Sequence, residues 1–292
     1  MTRWTAAHLG DQQRRTYVVT GASSGLGAVI AGDLARAGAR VVMACRDEAK
    51  GARVASGLGP HVEVRHLDLA DLRSVRSFAA DLDEIDVLIN NAGVMATPRR
   101  ATADGFELQI GTNHLGHFAL TCLLLDRIAD RVVTMSSQMH RTGHVDVNDL
   151  NWERRRYRRW GAYAQSKLAN LLFTYELARR FADSDSGRRA VAAHPGYAAT
   201  DLQAHTDSFQ DELMKVGNRF FAQSAQMGAL PALFAATVPD IANGAYSGPD
   251  GRPFEQRGYP RVVSSSRRSH DAATARALWT RSEELTGTSW IS

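Results

Sequence analysis

Short β-branched runs alternate with amphipathic stretches along most of this chain, and that rhythm leaves few folds open. Residues 17–20, 41–44, 62–64, 87–89, 131–135 and 190–193 read as strands, with helical patterns such as 26–37 and 72–82 between them. Strands separated by helices pair in parallel, because a crossover long enough to return to the same edge is usually a helix. The strand runs are near-continuously apolar, as a sheet covered on both faces requires. The expected fold is therefore α/β: a doubly wound parallel sheet in a single domain over residues 1–292. Ligands belong at the carboxyl ends of its strands. Three parts stand outside the rhythm: a polar lead-in (1–15), a segment without strand periodicity (201–227), and a C-terminal extension (249–292). The extension follows a turn-rich start at 248–253 and ends in a helix over about 270–285.

Composition narrows the classes. Of the 292 residues 44% are hydrophobic and 23% charged, ordinary for a globular protein with a large core. No apolar run approaches the roughly 18 residues of a membrane span, and 118–125 reads as a buried helix. The first residues, Met1-Thr2-Arg3-Trp4, carry no hydrophobic signal, and two cysteines, Cys45 and Cys122, make no disulfide framework. A reducing cytoplasm is the expected setting. The formal charge is +4, with much of the excess in the arginine run 154–159. That run reads as a solvated surface insertion rather than a nucleic-acid contact, since no nucleic-acid motif accompanies it. His114 and His117 share a helix face, and His140 and His144 lie close, but no Cys/His spacing supplies a zinc set, so no metal is expected. Trp279 and Trp290 read as packing residues.

The first strand runs into Thr20-Gly21-Ala22-Ser23-Ser24-Gly25-Leu26-Gly27. Glycines let the backbone turn sharply and approach a pyrophosphate, and a helix starting near Gly25 aims its free N–H groups and positive dipole end at it. This spacing resembles the signature of short-chain dehydrogenases/reductases, a Rossmann-type family. The resemblance continues with Asp68-Leu69 after the third strand and Asn90-Asn91-Ala92-Gly93 after the fourth, and its motifs span residues 16–200. It implies that Asp68 and Leu69 meet the adenine and that Asn90, Ala92 and Gly93 shape the wall beside its ribose. Together with Gly21, Ser23, Ser24, Gly25, Leu26 and Gly27 these form the expected cofactor site. The second strand ends in Cys45-Arg46-Asp47, where NAD-preferring relatives place an acidic residue. A guanidinium at Arg46 forks onto a 2′-phosphate, so NADP(H) is the expected cofactor; the competing reading gives Asp47 the acidic role.

Tyr163 and Lys167 lie four residues apart on a helical stretch, hence one turn apart on one face. A phenol is a poor acid/base at neutral pH, and a nearby ammonium is expected to lower its pKa. In the family that this sequence resembles, the second serine of a pair like Ser136-Ser137 polarises the substrate oxygen, and an asparagine matching Asn113 kinks a helix and holds a proton-relaying water. Asn113, Ser137, Tyr163 and Lys167 are thus the implied catalytic set, with Lys167 also gripping the nicotinamide ribose. Pro195, Gly196 and Thr200 are implied around the nicotinamide. The longer stretch between Ser137 and Tyr163, Cys-Arg-Asp after the second strand and Ser-Lys-Leu-Ala-Asn after Tyr163 resemble the retinol dehydrogenase-like and protochlorophyllide reductase-like subgroup, and the sequence looks bacterial.

The expected activity is NADP(H)-dependent interconversion of a carbonyl and an alcohol. In segment 201–227, Leu213, Val216, Phe220 and Phe209 fall near helical spacing, with Lys215 and Arg219 placed singly. That pattern points to a substrate-covering helix and a lipophilic small-molecule substrate. A non-catalytic NADP(H) sensor is the alternative reading, and an epimerase or dehydratase on the same fold is a further rival. The resemblance also implies pairing of two copies through the helices carrying Asn113 and Tyr163, with the long tail in competition for that surface.

Overall fold

A computed structural model describes residues 3–196, 224–251 and 255–290. Within them the chain forms one eight-stranded sheet in the order β3-β2-β1-β4-β5-β6-β7-β8. Its strands are β1 (Thr16–Thr20), β2 (Arg40–Cys45), β3 (Val62–His66), β4 (Ile85–Asn90), β5 (Ile128–Met135), β6 (Arg189–Ala193), β7 (Tyr246–Pro249) and β8 (Pro260–Val262). All neighbours run parallel except β8, which returns antiparallel along β7. The order reverses between β1 and β4, the switch point of a doubly wound sheet, where two diverging crossovers leave a crevice.

Alternation along each strand feeds two cores. Val18, Val42, Leu88 and Val132 point to one face, under α3 (Leu72–Ala80), α5 (Gly116–Leu124) and α6 (Arg159–Asp183). Tyr17, Val19, Val41, Met43, Ile89 and Val133 point to the other, under α1 (Gly25–Arg36) and α7 (Ala225–Thr237). Each such aliphatic side chain removed from water contributes about 1.5–3 kcal/mol, so both faces must be covered. The six expected strands are all present. The pair β7–β8 was not expected: Gly248 and Pro249 read as a turn, yet Pro249 is the last residue of β7 and stands opposite Pro260, the first of β8, so proline falls only at strand ends.

Helix α8 (Ala272–Thr286) lies across the outer faces of α5 and α6, with Trp279 buried between Phe118 and Phe173. Those are the helices through which pairing was expected, so the chain's own tail occupies part of that surface. Among the described residues no helix is long and apolar enough to cross a membrane. The arginine insertion is anchored rather than loose. Arg155 lies 3.9 Å over the Trp152 ring and pairs with Asp149 at 3.2 Å, and the Tyr157 hydroxyl bonds Glu107 at 2.9 Å, while Arg154, Arg156 and Arg158 face solvent.

Candidate active site

A cavity of about 670 Å³ opens along the carboxyl ends of the strands, from the glycine turn to Tyr163 and Lys167. At its phosphate end the chain passes from β1 into α1. Gly21 has φ +66°, and a Cβ there would stand 2.8 Å from the Cα of Ala92; a Cβ on Gly27 would strike the Gly21 carbonyl. Only glycine permits this packing of the turn against β4's exit. The Ser24 side chain makes no capping bond at the start of α1, whereas aspartates cap the next two helices, α2 (Glu48–Ala55) through Asp47 and α3 through Asp71. The first amides of α1 thereby stay available to an anion.

Gly21, Ser23, Ser24, Gly25, Leu26, Gly27, Arg46, Asp68, Leu69, Ala92, Gly93, Ser137, Tyr163, Lys167, Pro195 and Gly196 line this cavity. Two expected cofactor residues stand apart. Asn90 is buried off the cavity, its amide donating to Thr121 Oγ1 at 3.0 Å, and its neighbour Asn91 lines the site instead. Thr200 lies outside the described residues, as do Phe209, Leu213, Val216 and Phe220 of the expected substrate-covering helix. The strand-end position also resolves differently. Cys45 turns beneath α2, where a Cβ on Gly51 would meet its sulfur at 3.2 Å, so Ala44 and Arg46 face the cavity. Burial pushes the Cys45 thiol up to about 11, which keeps it protonated at neutral pH. Lys50, one turn beyond Arg46, lines the same end.

At the chemical end, Ser137 sits at the mouth of β5 near enough to Tyr163 for its hydroxyl to act on the phenol, while Ser136 turns away and donates to the Lys167 carbonyl at 2.8 Å. Lys167 Nζ donates to Met135 O at 3.1 Å and lies 5.7 Å from the Tyr163 ring centroid. Burial pushes the Tyr163 phenol up to about 12, against the pull of Ser137, and brings the Lys167 ammonium down to about 8. The expectation that Lys167 lowers the tyrosine's pKa therefore does not hold for this arrangement. Both groups are desolvated, and burial outweighs a cation that is drawn toward a backbone carbonyl.

Asn113 stands behind the cavity in a π turn (Gly111–Leu115) that joins the short α4 (Leu108–Ile110) to α5. Its Oδ1 accepts from Val94 N at 2.8 Å, and its Nδ2 donates to Val94 O and Ser166 Oγ, both at 2.9 Å. The side chain thus stitches the loop after β4 to the helix that carries Tyr163. Three of the four histidines noted in the sequence are buried and bonded: His114 to Ser282 at 3.0 Å, His117 to Thr20 at 2.9 Å, and His140 to the Ser137 carbonyl at 2.6 Å.

The sequence reading missed Val94, Met95, Met139 and Trp160, which give the cavity an apolar wall beside Ser137 and Tyr163, together with Gln138 and Gln256. Trp160 carried a signal, because it precedes Tyr163 by three residues on one helix and so shares its face; the two rings meet edge to face at 6.3 Å. Gln256 carried none. It arrives because the loop before β8 packs on Gly196, whose Cβ would strike the Gln256 carbonyl. The segment after β8 also braces the serine wall. Ser266 N donates to His140 Nε2 at 3.0 Å, Arg141 reaches Ser264 O at 2.8 Å, and Arg268 reaches Gly143 O at 3.0 Å.

The short chain dehydrogenase family profile matches residues 15–211. Human retinol dehydrogenase 13 is 41% identical over 290 residues, covering 94% of this chain and 85% of that protein. A solved structure of an uncharacterized protein from Mycobacterium paratuberculosis shares 52% identity and a TM-score of 0.87, with all of both chains covered. Another, described as an NAD(P) dependent gluconate 5-dehydrogenase from Beutenbergia cavernae with NADP bound at low occupancy, shares 27% identity and a TM-score of 0.62, covering 81% of this chain and 95% of its own. With that fold, that glycine turn and these relatives, the chain belongs to the short-chain dehydrogenase/reductase family, in its retinol dehydrogenase-like subgroup.

Proposed function

We propose that this oxidoreductase interconverts a lipophilic carbonyl compound and its alcohol with NADP(H), using Tyr163 as acid and base. One observation carries the reading: a single cavity joins a glycine turn at the start of α1 to a half-buried Ser137 and a buried Tyr163 beside an apolar wall. The residues fit a dinucleotide. A side chain at Gly21 or Gly27 would fill the phosphate turn, and a Cβ on Gly93 would lie 3.2 Å from Asn113 Oδ1 and 3.6 Å from Lys167 Nζ. The amides at Ser24 and Gly25 would hold the pyrophosphate, and Asp68, Leu69, Ala92 and Gly93 would flank the adenosine. Arg46 and Lys50 favour a 2′-phosphate. The Asp47 carboxylate is engaged in capping, accepting from Lys50 N at 2.8 Å, which weakens the reading in which it binds ribose hydroxyls. When bound, the nicotinamide supplies or accepts the hydride.

The chain's own groups do the rest. With its phenol pushed up to about 12, Tyr163 is protonated at neutral pH and holds the proton that a developing alkoxide needs. The Ser137 hydroxyl steadies the same oxygen. Lys167, largely charged below pH 8, grips the ribose. Val94, Met95, Met139 and Trp160 exclude water and suit an uncharged substrate, in keeping with a relative named for retinol, a lipophilic alcohol. The two unpaired cysteines fit a reducing, cytoplasmic setting.

Tyr163→Phe tests the assignment, because it keeps the ring and removes the proton. NADPH binding, followed by fluorescence, should survive. Turnover of aldehydes and ketones, followed by loss of NADPH absorbance, should fall at least about a hundredfold. Near-normal turnover in that variant, or activity confined to small anionic metabolites, would overturn the reading.

A further inference from the structure

We infer that His117 is a positioning residue that holds the Asn113 carbonyl in place and ties it to the turn between β1 and α1. The inference rests on the catalytic reading of Tyr163 proposed above.

The bond directions can be worked out atom by atom. Thr20 Oγ1 receives two backbone donors, Asn91 N and Ala92 N, each at 2.9 Å. Those fill its two lone pairs, so its own proton must point elsewhere. His117 Nε2 lies 2.9 Å away, whereas the competing carbonyl of Ile89 is 3.4 Å away. The threonine therefore donates to Nε2, which must be bare. The imidazole proton then resides on Nδ1, which lies 3.0 Å from the Asn113 carbonyl and donates to it. A charged ring would turn a second N–H onto an oxygen with no lone pair left. Burial and the nearby Lys167 charge oppose that form as well, bringing His117 down to about 4.

Asn113 thus becomes a junction. Its side chain is spent on the Val94 backbone and on Ser166, whose hydroxyl donates to the Tyr163 carbonyl at 2.8 Å. Its main chain lies in the π turn, where Gly116 N reaches back to Gly111 O and the regular helical ladder no longer fixes carbonyl direction. His117 supplies that direction. Through Thr20 it links the carbonyl to the Asn91–Ala92 amides, whose residues line the cavity. One neutral imidazole consequently couples the segment that receives the cofactor to the segment that supports proton transfer.

Two substitutions separate its two bonds. In His117→Asn the amide nitrogen stands where Nδ1 stood and keeps the Asn113 contact. In His117→Gln the amide oxygen stands where Nε2 stood and keeps the Thr20 contact. The parent, both variants and Tyr163→Phe would be compared for kcat, KM, NADPH Kd and urea midpoint. His117→Gln should lose about tenfold in kcat with KM little changed, the scale expected when a supporting group shifts by a fraction of an ångström. His117→Asn should recover most of that kcat and weaken NADPH binding severalfold instead. A purely structural histidine would lower the urea midpoint in both variants and leave their kcat values equal to each other. Equal kcat in the two variants, alongside the expected loss in Tyr163→Phe, overturns this inference alone. A Tyr163→Phe enzyme as active as the parent overturns the catalytic reading, and this inference with it.

Discussion

The Trp279 indole stacks on the Phe173 ring, centroids 5.7 Å apart and planes inclined by 17°, while Phe118 meets it edge-on at 5.0 Å. One side chain of α8 thereby fastens both helices that flank the candidate site, and the Arg180 guanidinium closes over it at 4.2 Å. Trp279→Ala should cost about 3–5 kcal/mol, the range for removing a large buried aromatic. A urea midpoint that barely moves would mean that α8 is not integral to the core. The same variant bares apolar surface on α5 and α6, so it should associate more strongly than the parent in sedimentation at equal concentration.

Cofactor choice is the second test. Arg46 lines the cavity beside Lys50, and the adjoining Asp47 carboxylate is engaged in capping α2. NADPH should bind more tightly than NADH by about 1.5–3 kcal/mol, the worth of a hydrogen bond to a charged group. Arg46→Ala should shrink the difference. Equal dissociation constants for the two cofactors in the parent would refute the preference.

The third test is acid stability. Burial holds His114 near 3, and His117 and His140 near 4, all well below the ordinary value of 6.5. The unfolded chain takes up protons at these residues near pH 6.5, whereas the folded chain does not until pH 3–4. Stability must therefore fall as pH drops below 6.5, by about 1.4 kcal/mol per pH unit for each histidine. Lys167 adds a separate rise on the alkaline side between its folded value of about 8 and its ordinary 10.5, because there only the unfolded lysine keeps its proton. Urea midpoints measured from pH 7.5 to 4.5 would expose the acid limb, and a level curve would contradict it.

Trp160 provides the fourth. It forms part of the apolar wall and meets the Tyr163 ring edge-on without touching the phosphate end. Trp160→Ala should raise KM for lipophilic aldehydes and ketones and leave NADPH affinity nearly unchanged. The loss should be about 1–3 kcal/mol in kcat/KM, the scale of hydrophobic pocket contacts. Unchanged KM across a series of increasing chain length would remove Trp160 from the substrate wall.

Much of this was legible in the sequence wherever a local rule operates. The six parallel strands announced themselves by apolar runs, the phosphate turn by Gly21, Gly25 and Gly27, and the Tyr163–Lys167 pair by helical spacing. What escaped depends on contacts between distant segments. Whether Cys45 or Arg46 faces the cofactor turns on one step of strand alternation, and the same step separates Asn90 from Asn91. Proximity of Lys167 to Tyr163 follows from spacing, but their desolvation follows from the whole surrounding core. Gln256 reaches the cavity only because Gly196 lets a distant loop close on it.

The brace on Ser137 also sets an order of events. Residues 21–27 and 91–93, most of which line the far end of the cavity, leave the ribosome early. His140 cannot receive its bond from Ser266, nor Gly143 its bond from Arg268, until the last part of the chain has been made. The serine wall is therefore among the last parts of the cavity that a growing chain can brace, however early its own residues are made.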